Sequence, residues 1–196
     1  MPNDPRPANV FALVLAAGSS TRFGTTKQTI EIDGVPLVKF ALSAAVDACG
    51  NRTILVTGHD WHAVASASAP LAGFLVRNDD FAAGLGGSIA LGVRCVRHAA
   101  DAILVVLADQ PRITASHLAA LVDAWSRADD EIVATAFAGT AGPPVLFPPS
   151  SFDDLAALTG DVGARQLLSD PRYTLKTVPF EPAAIDIDTP ADLARL

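Results

Sequence analysis

Small residues, cations and carboxylates in this chain are spaced so that they could act together. Ala16, Ala17, Gly18, Ser19 and Ser20 form a turn whose backbone amides a ligand can approach closely. Arg22 and Lys27 follow at a spacing that lets them curl back over whatever the turn holds. Backbone N–H groups with an arginine and a lysine make a site for a polyphosphate, although the same turn also reads as a flexible loop after a strand. Asp109, in LADQP, is held between an apolar run and Pro111, so its carboxylate projects from a rigid edge. Asp186 and Asp188 lie two apart in DIDTP, and in a strand they would share a face. Each also has a local reading: Asp109 as a turn cap, Asp188 as the cap of a last helix.

The elements that must position these groups alternate in type. Apolar residues 10–15 read as a buried strand, and further strands are predicted over 52–58, 73–78, the run AILVVLADQP and 131–137. The spacing of Leu37, Val38, Ala41, Leu42, Ala45 and Val46 predicts a helix from Pro36 to about Ala48. Further helices are expected from about Asp60 to Ala69, from Ser88 to about His98, and from a Thr114 cap to about Arg127. Residues 29–34 suggest a short extended piece and a turn. Continuously apolar strands alternating with helices predict an α/β domain, a Rossmann-like, doubly wound, mostly parallel sheet covered on both faces. Ligands of such sheets gather at the carboxyl ends of the strands, where the Ala16–Lys27 turn, Asn78 and Asp109 all fall. After Gly139 the pattern changes, with PVLF, helices near 152–158 and 163–168, and a strand around 173–178. Residues 139–178 therefore read as a lid or acceptor side within a single domain spanning 10–196, and residues 1–9 as a disordered tail, not a signal peptide.

Composition removes several classes of function. A net charge of -7 argues against a general nucleic-acid binder, so the few cations must be placed locally. Cys49 and Cys95 lack a CxxC partner and read as buried thiols of a reducing compartment. His59, His62, His98 and His117 match no zinc spacing and read as surface residues, while Trp61 and Trp125 read as helix packing. The apolar run 10–17 falls short of the roughly 20 residues a membrane span takes, so a soluble, cytoplasmic protein is expected.

The stretch LAAGSSTRFGTTKQ, 15–28, resembles the nucleotide-binding signature of the MobA-like nucleotidyltransferases, and among them most resembles the molybdenum cofactor cytidylyltransferases. GLGGSIALGV, LADQP, GPPVLF, LTGDVGARQLL and DIDTPADL resemble further blocks of that family, in its order and over nearly the whole chain. The resemblance implies a fold of the nucleotide-diphospho-sugar transferase type. It implies nucleotide contacts from Leu15, Ala16, Ala17, Gly18, Ser19, Arg22 and Lys27, and base or sugar contacts near Asn78, Gly84 and Ser88. Asp109 and Asp188, with Asp186 beside them, would hold Mg²⁺, whose octahedral shell phosphate and water oxygens complete. Arg22, Lys27 and Asp109 are then the catalytic candidates, with Arg22 and Lys27 steadying the triphosphate and the leaving pyrophosphate. No protein nucleophile is needed, because an acceptor phosphate attacks the α-phosphorus in line.

By the same resemblance Asp161 becomes an acceptor contact; read alone, Asp161 and Arg165 are a helix-start cap and salt bridge. Ala17 followed by TTKQ favours CTP over GTP, since a methyl narrows the space a purine needs. The chain departs from the pattern at Phe23, where Met is usual, and at Gln28, Thr29 and Ile30. The implied reaction moves CMP from CTP to the phosphate of molybdenum-molybdopterin and releases pyrophosphate. Alternatives are guanylyl or other nucleotidyl transfer to a different acceptor such as a sugar phosphate, or a non-catalytic molybdopterin carrier. The expected partners are CTP, a molybdopterin-type acceptor and a client molybdoenzyme or its chaperone, with no nucleic acid and no membrane.

Overall fold

The structure, a computed structural model, describes residues 8–21, 23–71, 73–161 and 163–196. Arg22 and most of the expected tail, residues 1–7, lie outside the described residues. The chain runs β1 (Val10–Ala16), a hairpin of β2 (Glu31–Ile32) and β3 (Val35–Pro36), α1 (Leu37–Cys49), β4 (Thr53–Thr57), α2 (Trp61–Ser68) and β5 (Phe74–Arg77). It continues through α3 (Leu85–Val96), β6 (Ala102–Leu107), α4 (Ala115–Ala124), β7 (Glu131–Phe137), β8 (Thr140–Phe147), α5 (Phe152–Ala156) and β9 (Thr174–Pro179). Short 3₁₀ turns join several of these, including Lys27–Thr29, Gly163–Ser169 and Pro190–Arg195.

Strict alternation along β1 explains the two covered faces. Ala12, Val14 and Ala16 point into one core with Val38, Ala41 and Leu42 of α1, Val64 of α2, and Leu118 and Leu121 of α4. Leu13 and Leu15 point into the other, with Ile89 and Val93 of α3 and Phe152 and Leu155 of α5. Each large apolar side chain so buried contributes about 1.5–3 kcal/mol relative to exposure. The sheet has seven strands in the order β5-β4-β1-β6-β8-β7-β9. β1 pairs parallel with β4 and β6, β4 with β5, and β7 with β9. β8 runs antiparallel between β6 and β7, so the chain from residue 140 re-enters the central sheet before it builds anything that could cover a site.

The predicted elements shift in ways that packing explains. The helix expected from Ser88 begins at Leu85, because Gly86 lies inside the helix against Thr159. A Cβ on Gly86 would come within 2.9 Å of the Thr159 backbone, so this glycine serves close approach and not a turn. Pro36 closes the β2–β3 hairpin as the N-cap of α1 instead of entering its first turn. Residues 185–188 form no strand, and Asp186 is exposed while Ile187 is buried. Cys95 is exposed, unlike Cys49, whose burial pushes its thiol up to about 11. His117 is buried instead of on the surface: its ring stacks on Phe180 at 4.2 Å and its Nε2 lies 2.9 Å from Thr135 Oγ1.

Candidate active site

At the carboxyl ends of β1 and β6 the chain leaves the sheet on both sides of a cleft of about 440 Å³. Ala17, Gly18, Ser19 and Lys27 form one wall, Asp109 the floor, and Gly84, Ser88 and Asp161 the other side. Leu15 and Leu107, the last side chains of their strands on that face, close its base.

The turn after β1 is held by a glutamine that follows it. Gln28 is buried, donates from Nε2 to the Gly18 carbonyl at 3.2 Å, and accepts from Ser20 Oγ at 3.1 Å. The Lys27 amide donates back to Ser20 Oγ at 3.2 Å, which fixes the direction in which Lys27 leaves the backbone. Thr26 Oγ1 donates to Asp60 Oδ2 at 2.7 Å and ties the same loop to the start of α2. This gives Gln28, a departure in the sequence pattern, a structural role that residue type alone did not signal.

The ammonium of Lys27 donates to Asp109 Oδ2 at 2.8 Å and to Asp188 Oδ1 at 3.0 Å. Residues 82 and 161 positions away in the chain thus meet on one nitrogen. Burial pulls the lysine pKa down, but the carboxylates of Asp109 and Asp188 outweigh it and hold the ammonium above its ordinary value of 10.5. The other oxygen of Asp109, Oδ1, is buried without a partner in the protein. Neither aspartate spends its side chain as the expected cap. The last helical turn is capped instead by Thr189 in a capping box with Asp192. The Ile187 amide donates to the Asp109 carbonyl at 3.0 Å, so one backbone bond ties the segments carrying the two carboxylates. Asp186 is exposed, and among the described residues no three His, Cys, Asp or Glu side chains converge on one point.

A family model, the MobA-like NTP transferase domain, matches residues 12–177. The chain belongs to this MobA-like family. It is 29% identical over 171 residues to the purine catabolism protein PucB of Bacillus subtilis (strain 168), covering 83% of this chain and 82% of that one. It is 26% identical over 198 residues to the nicotine blue oxidoreductase of Paenarthrobacter nicotinovorans, covering 95% and 96%. The structure of Rv0371C from Mycobacterium tuberculosis H37Rv in complex with manganese superimposes with a TM-score of 0.81 at 28% identity, over 96% of this chain and 97% of that one. The α/β fold expected of a nucleotide-diphospho-sugar transferase type is the one found.

Two oxygens of separate carboxylates sharing one cation, with a third carboxylate oxygen left bare, suit a hard divalent metal completed by water and phosphate oxygens. The other positions marked in this MobA-like chain divide between the cleft and its support. Leu15, Ala17, Gly18, Ser19, Gly84, Ser88 and Asp161 line the cleft. Ala16, the last residue of β1, is buried in the core behind it. Asn78 stands behind Ser88: its Nδ2 donates to Ser88 Oγ at 3.0 Å, and its Oδ1 accepts from the Asp80 amide at 3.1 Å. Asp161 lines the nucleotide-side cleft while Arg165 lines an adjoining cavity.

Gly84 makes the approach of Asp161 possible. With φ +109 it adopts a backbone few side chains tolerate, and a Cβ there would lie 2.3 Å from the Gly160 carbonyl carbon. The Gly86 amide donates to the Gly160 carbonyl at 2.8 Å, so the 158–161 segment is latched onto the first turn of α3. Two side chains that sequence reasoning passed over complete the frame. Phe81 lines the cleft, its ring 5.6 Å from His59. Gln110 is buried, and its Nε2 donates to the carbonyls of Pro143 and Ala183 at 3.2 and 3.0 Å, joining β8 to the segment that leads to Asp188. The apolar-to-polar change at LADQP marked Asp109 but carried no signal for its neighbour's reach.

Proposed function

We propose that this MobA-like nucleotidyltransferase moves CMP from CTP to the phosphate of molybdenum-molybdopterin and releases pyrophosphate. The observation that carries the reading is the Lys27 ammonium, which lines the cleft with Asp109 and the small-residue turn and bonds both Asp109 and, just outside that lining, Asp188. In this reading the amides after Ala17 and the Lys27 ammonium bind the triphosphate, and Arg22 joins them. Asp109 and Asp188 would hold Mg²⁺, which would supply neutralisation of phosphate charge at the α-phosphorus. The Lys27 ammonium, held protonated by Asp109 and Asp188, would keep its proton on the phosphates because their oxygens replace the carboxylates as its anionic partners. Ser88, held by Asn78, meets the sugar or base, and Asp161 faces the acceptor. Catalysis is positioning and electrostatics, with the acceptor phosphate as nucleophile.

Base choice follows from Ala17. It lines the cleft and packs closely against Gly58, where an added Cβ would come within 2.9 Å of its methyl, so Ala17 is backed firmly on the side away from the ligand. A pyrimidine fits beside such a wall more readily than a purine. The experiment is pyrophosphate release by the purified protein with Mg²⁺ and molybdenum-molybdopterin, comparing CTP, GTP, ATP and UTP. Release with CTP alone is expected, and Asp109→Asn should nearly abolish it in a folded protein. Release with GTP overturns the base assignment, and silence with all four overturns molybdenum-molybdopterin as the acceptor, in favour of another acceptor or of a carrier.

A further inference from the structure

Asp188 sits on an arm that leaves the sheet after β9 and comes back to Lys27 by way of the 3₁₀ turn Glu181–Ala184, with no strand between that turn and the aspartate. The course of such an arm is set by the bonds made along it. The Phe180 amide donates to the Ala136 carbonyl at 2.9 Å, which keeps the start of the arm on β7. Further on, Ala183 and Ile187 are both buried, and the loop after β6 takes hold of each. The Ala183 carbonyl accepts from Gln110 Nε2 at 3.0 Å, and the Ile187 amide donates to the Asp109 carbonyl at 3.0 Å. Two adjacent residues thus grip the arm just ahead of Asp188. Gln110 also has a hold on the sheet. Its Nε2 donates at 3.2 Å to the Pro143 carbonyl of β8, a strand paired on one side with β6 and on the other with β7. The backbone of Gln110 is itself fixed, since its carbonyl accepts from the Ile113 amide at 3.3 Å and Pro111 restricts it to extended conformations.

We propose that Gln110 is a positioning residue for the divalent-metal site: by tying the Ala183 carbonyl to β8 it sets where the Asp188 carboxylate stands relative to Asp109. The inference rests on the metal part of the transfer reading and adds to it the residue that keeps the two carboxylates in register. A neutral primary amide suits this task because it gives two hydrogen bonds to carbonyls without burying a charge. Asparagine is one methylene shorter, an ionised glutamate only accepts, and lysine or arginine would bring a charge with no carboxylate to meet it. Gln110 Oε1 is buried with no partner among the described residues, so the side chain is placed by what its nitrogen holds and not by satisfaction of all its own groups. With that grip gone, Ala183 loses its link to β8 and the arm keeps only its bonds to β7 and to the Asp109 carbonyl ahead of Asp188. Groups that orient metal ligands from behind in this way typically carry about 10–100-fold in metal affinity.

The test titrates the full chain with Mn²⁺ alone and reads the free metal from its EPR signal, at a temperature where every variant is folded. Gln110→Met, close in volume and without donors, should bind Mn²⁺ about tenfold more weakly than wild type. In an Asp188→Asn background the same substitution should change Mn²⁺ affinity by less than about twofold, because the carboxylate it positions is gone. Thr53→Val controls for a merely structural loss. It removes the bond from a buried hydroxyl to the Ala45 carbonyl at the start of β4, the end of the sheet away from the cleft, and should leave Mn²⁺ affinity within about twofold. Gln110→Asn, which withdraws the amide by one methylene, should act like Gln110→Met if that variant fails to fold. Wild-type Mn²⁺ affinity in the Gln110 variants, or a loss that persists undiminished in Asp188→Asn, overturns the inference while the metal site stands. A wild type that binds no Mn²⁺ is a different result: it overturns the metal reading, and the inference with it.

Discussion

Replacing Lys27 with Met removes the ammonium and keeps most of the side-chain volume. The oxygens of Asp109 and Asp188 that accept from it, at 2.8 and 3.0 Å, then lie no more than about 6 Å apart with no ammonium between them. At an effective dielectric of about 20, two unit charges at that distance repel by about 3 kcal/mol. The carboxylates are 24% and 33% exposed and the lysine 12%, so solvent screening trims the figure to about 2 kcal/mol. For a chain of this size that is a loss of about 4–8 °C in Tm. The sign with pH follows from the raised lysine pKa. The contribution of Lys27 is fully present below its unfolded value of 10.5 and is lost as pH rises through the folded value. The gap between wild type and Lys27→Met should therefore hold through neutral and mildly alkaline pH and close only above 10.5. Differential scanning fluorimetry with and without Mn²⁺ makes the measurement. Added Mn²⁺ should raise the variant's Tm more than the wild type's, because the metal no longer competes with the Lys27 ammonium for Asp109 Oδ2 and Asp188 Oδ1. Pyrophosphate release should fall by about 10³-fold for want of a fixed charge on the phosphates. A variant as stable as wild type, insensitive to Mn²⁺ and active to within about tenfold would refute the reasoning.

Ala17→Gly should open the cleft wall and relax the preference for CTP; an unchanged CTP-to-GTP ratio in competition assays would show that the methyl does not select the base. Gly86→Ala should cost about 1–3 kcal/mol, read as a shift in urea midpoint, because its Cβ meets backbone atoms of Thr159 that cannot swing aside. His117 is held below its ordinary value of 6.5 by burial, so the stability of wild type should fall as pH drops below 6.5, where the unfolded chain takes up a proton that the folded chain resists. His117→Gln should flatten that fall between about pH 7 and pH 5 in urea titrations.

Much of the sheet was legible because its strands are short apolar runs bounded by polar turns. Residues 10–15, 102–107 and 131–137 announce themselves in that way. β8 did not, since two adjacent prolines argue against a central strand. Here the bulge between Ala134 and Thr135 absorbs them, and side chains of Gln110 and Thr135 take up their carbonyls. Lys27, Asp109 and Asp188 could be named from residue type and the positions of strand ends, yet their shared nitrogen is a three-dimensional fact that spacing cannot contain. Asp186 was drawn in by the rule that alternate residues share a face, and that rule lapsed because residues 185–188 form no strand. The roles of Gln28 and Gln110 were invisible for a different reason. A buried glutamine is defined by the carbonyls it finds, and those come from elements far away in sequence.

The link between the Ile187 amide and the Asp109 carbonyl has a consequence for how the site comes into being. Lys27 and Asp109 lie on the parallel half of the sheet, which can assemble from neighbouring strand–helix units. Asp188 follows β8, which lies between β6 and β7, and β9, which lies at the sheet's edge, so its contact with Lys27 spans both in the chain. Contacts across 161 residues are the slowest class for a chain to close. The Lys27 site is thus closed by the longest-range of these contacts, so a chain cut before β8 and β9 would keep Lys27 and Asp109 but lack Asp188.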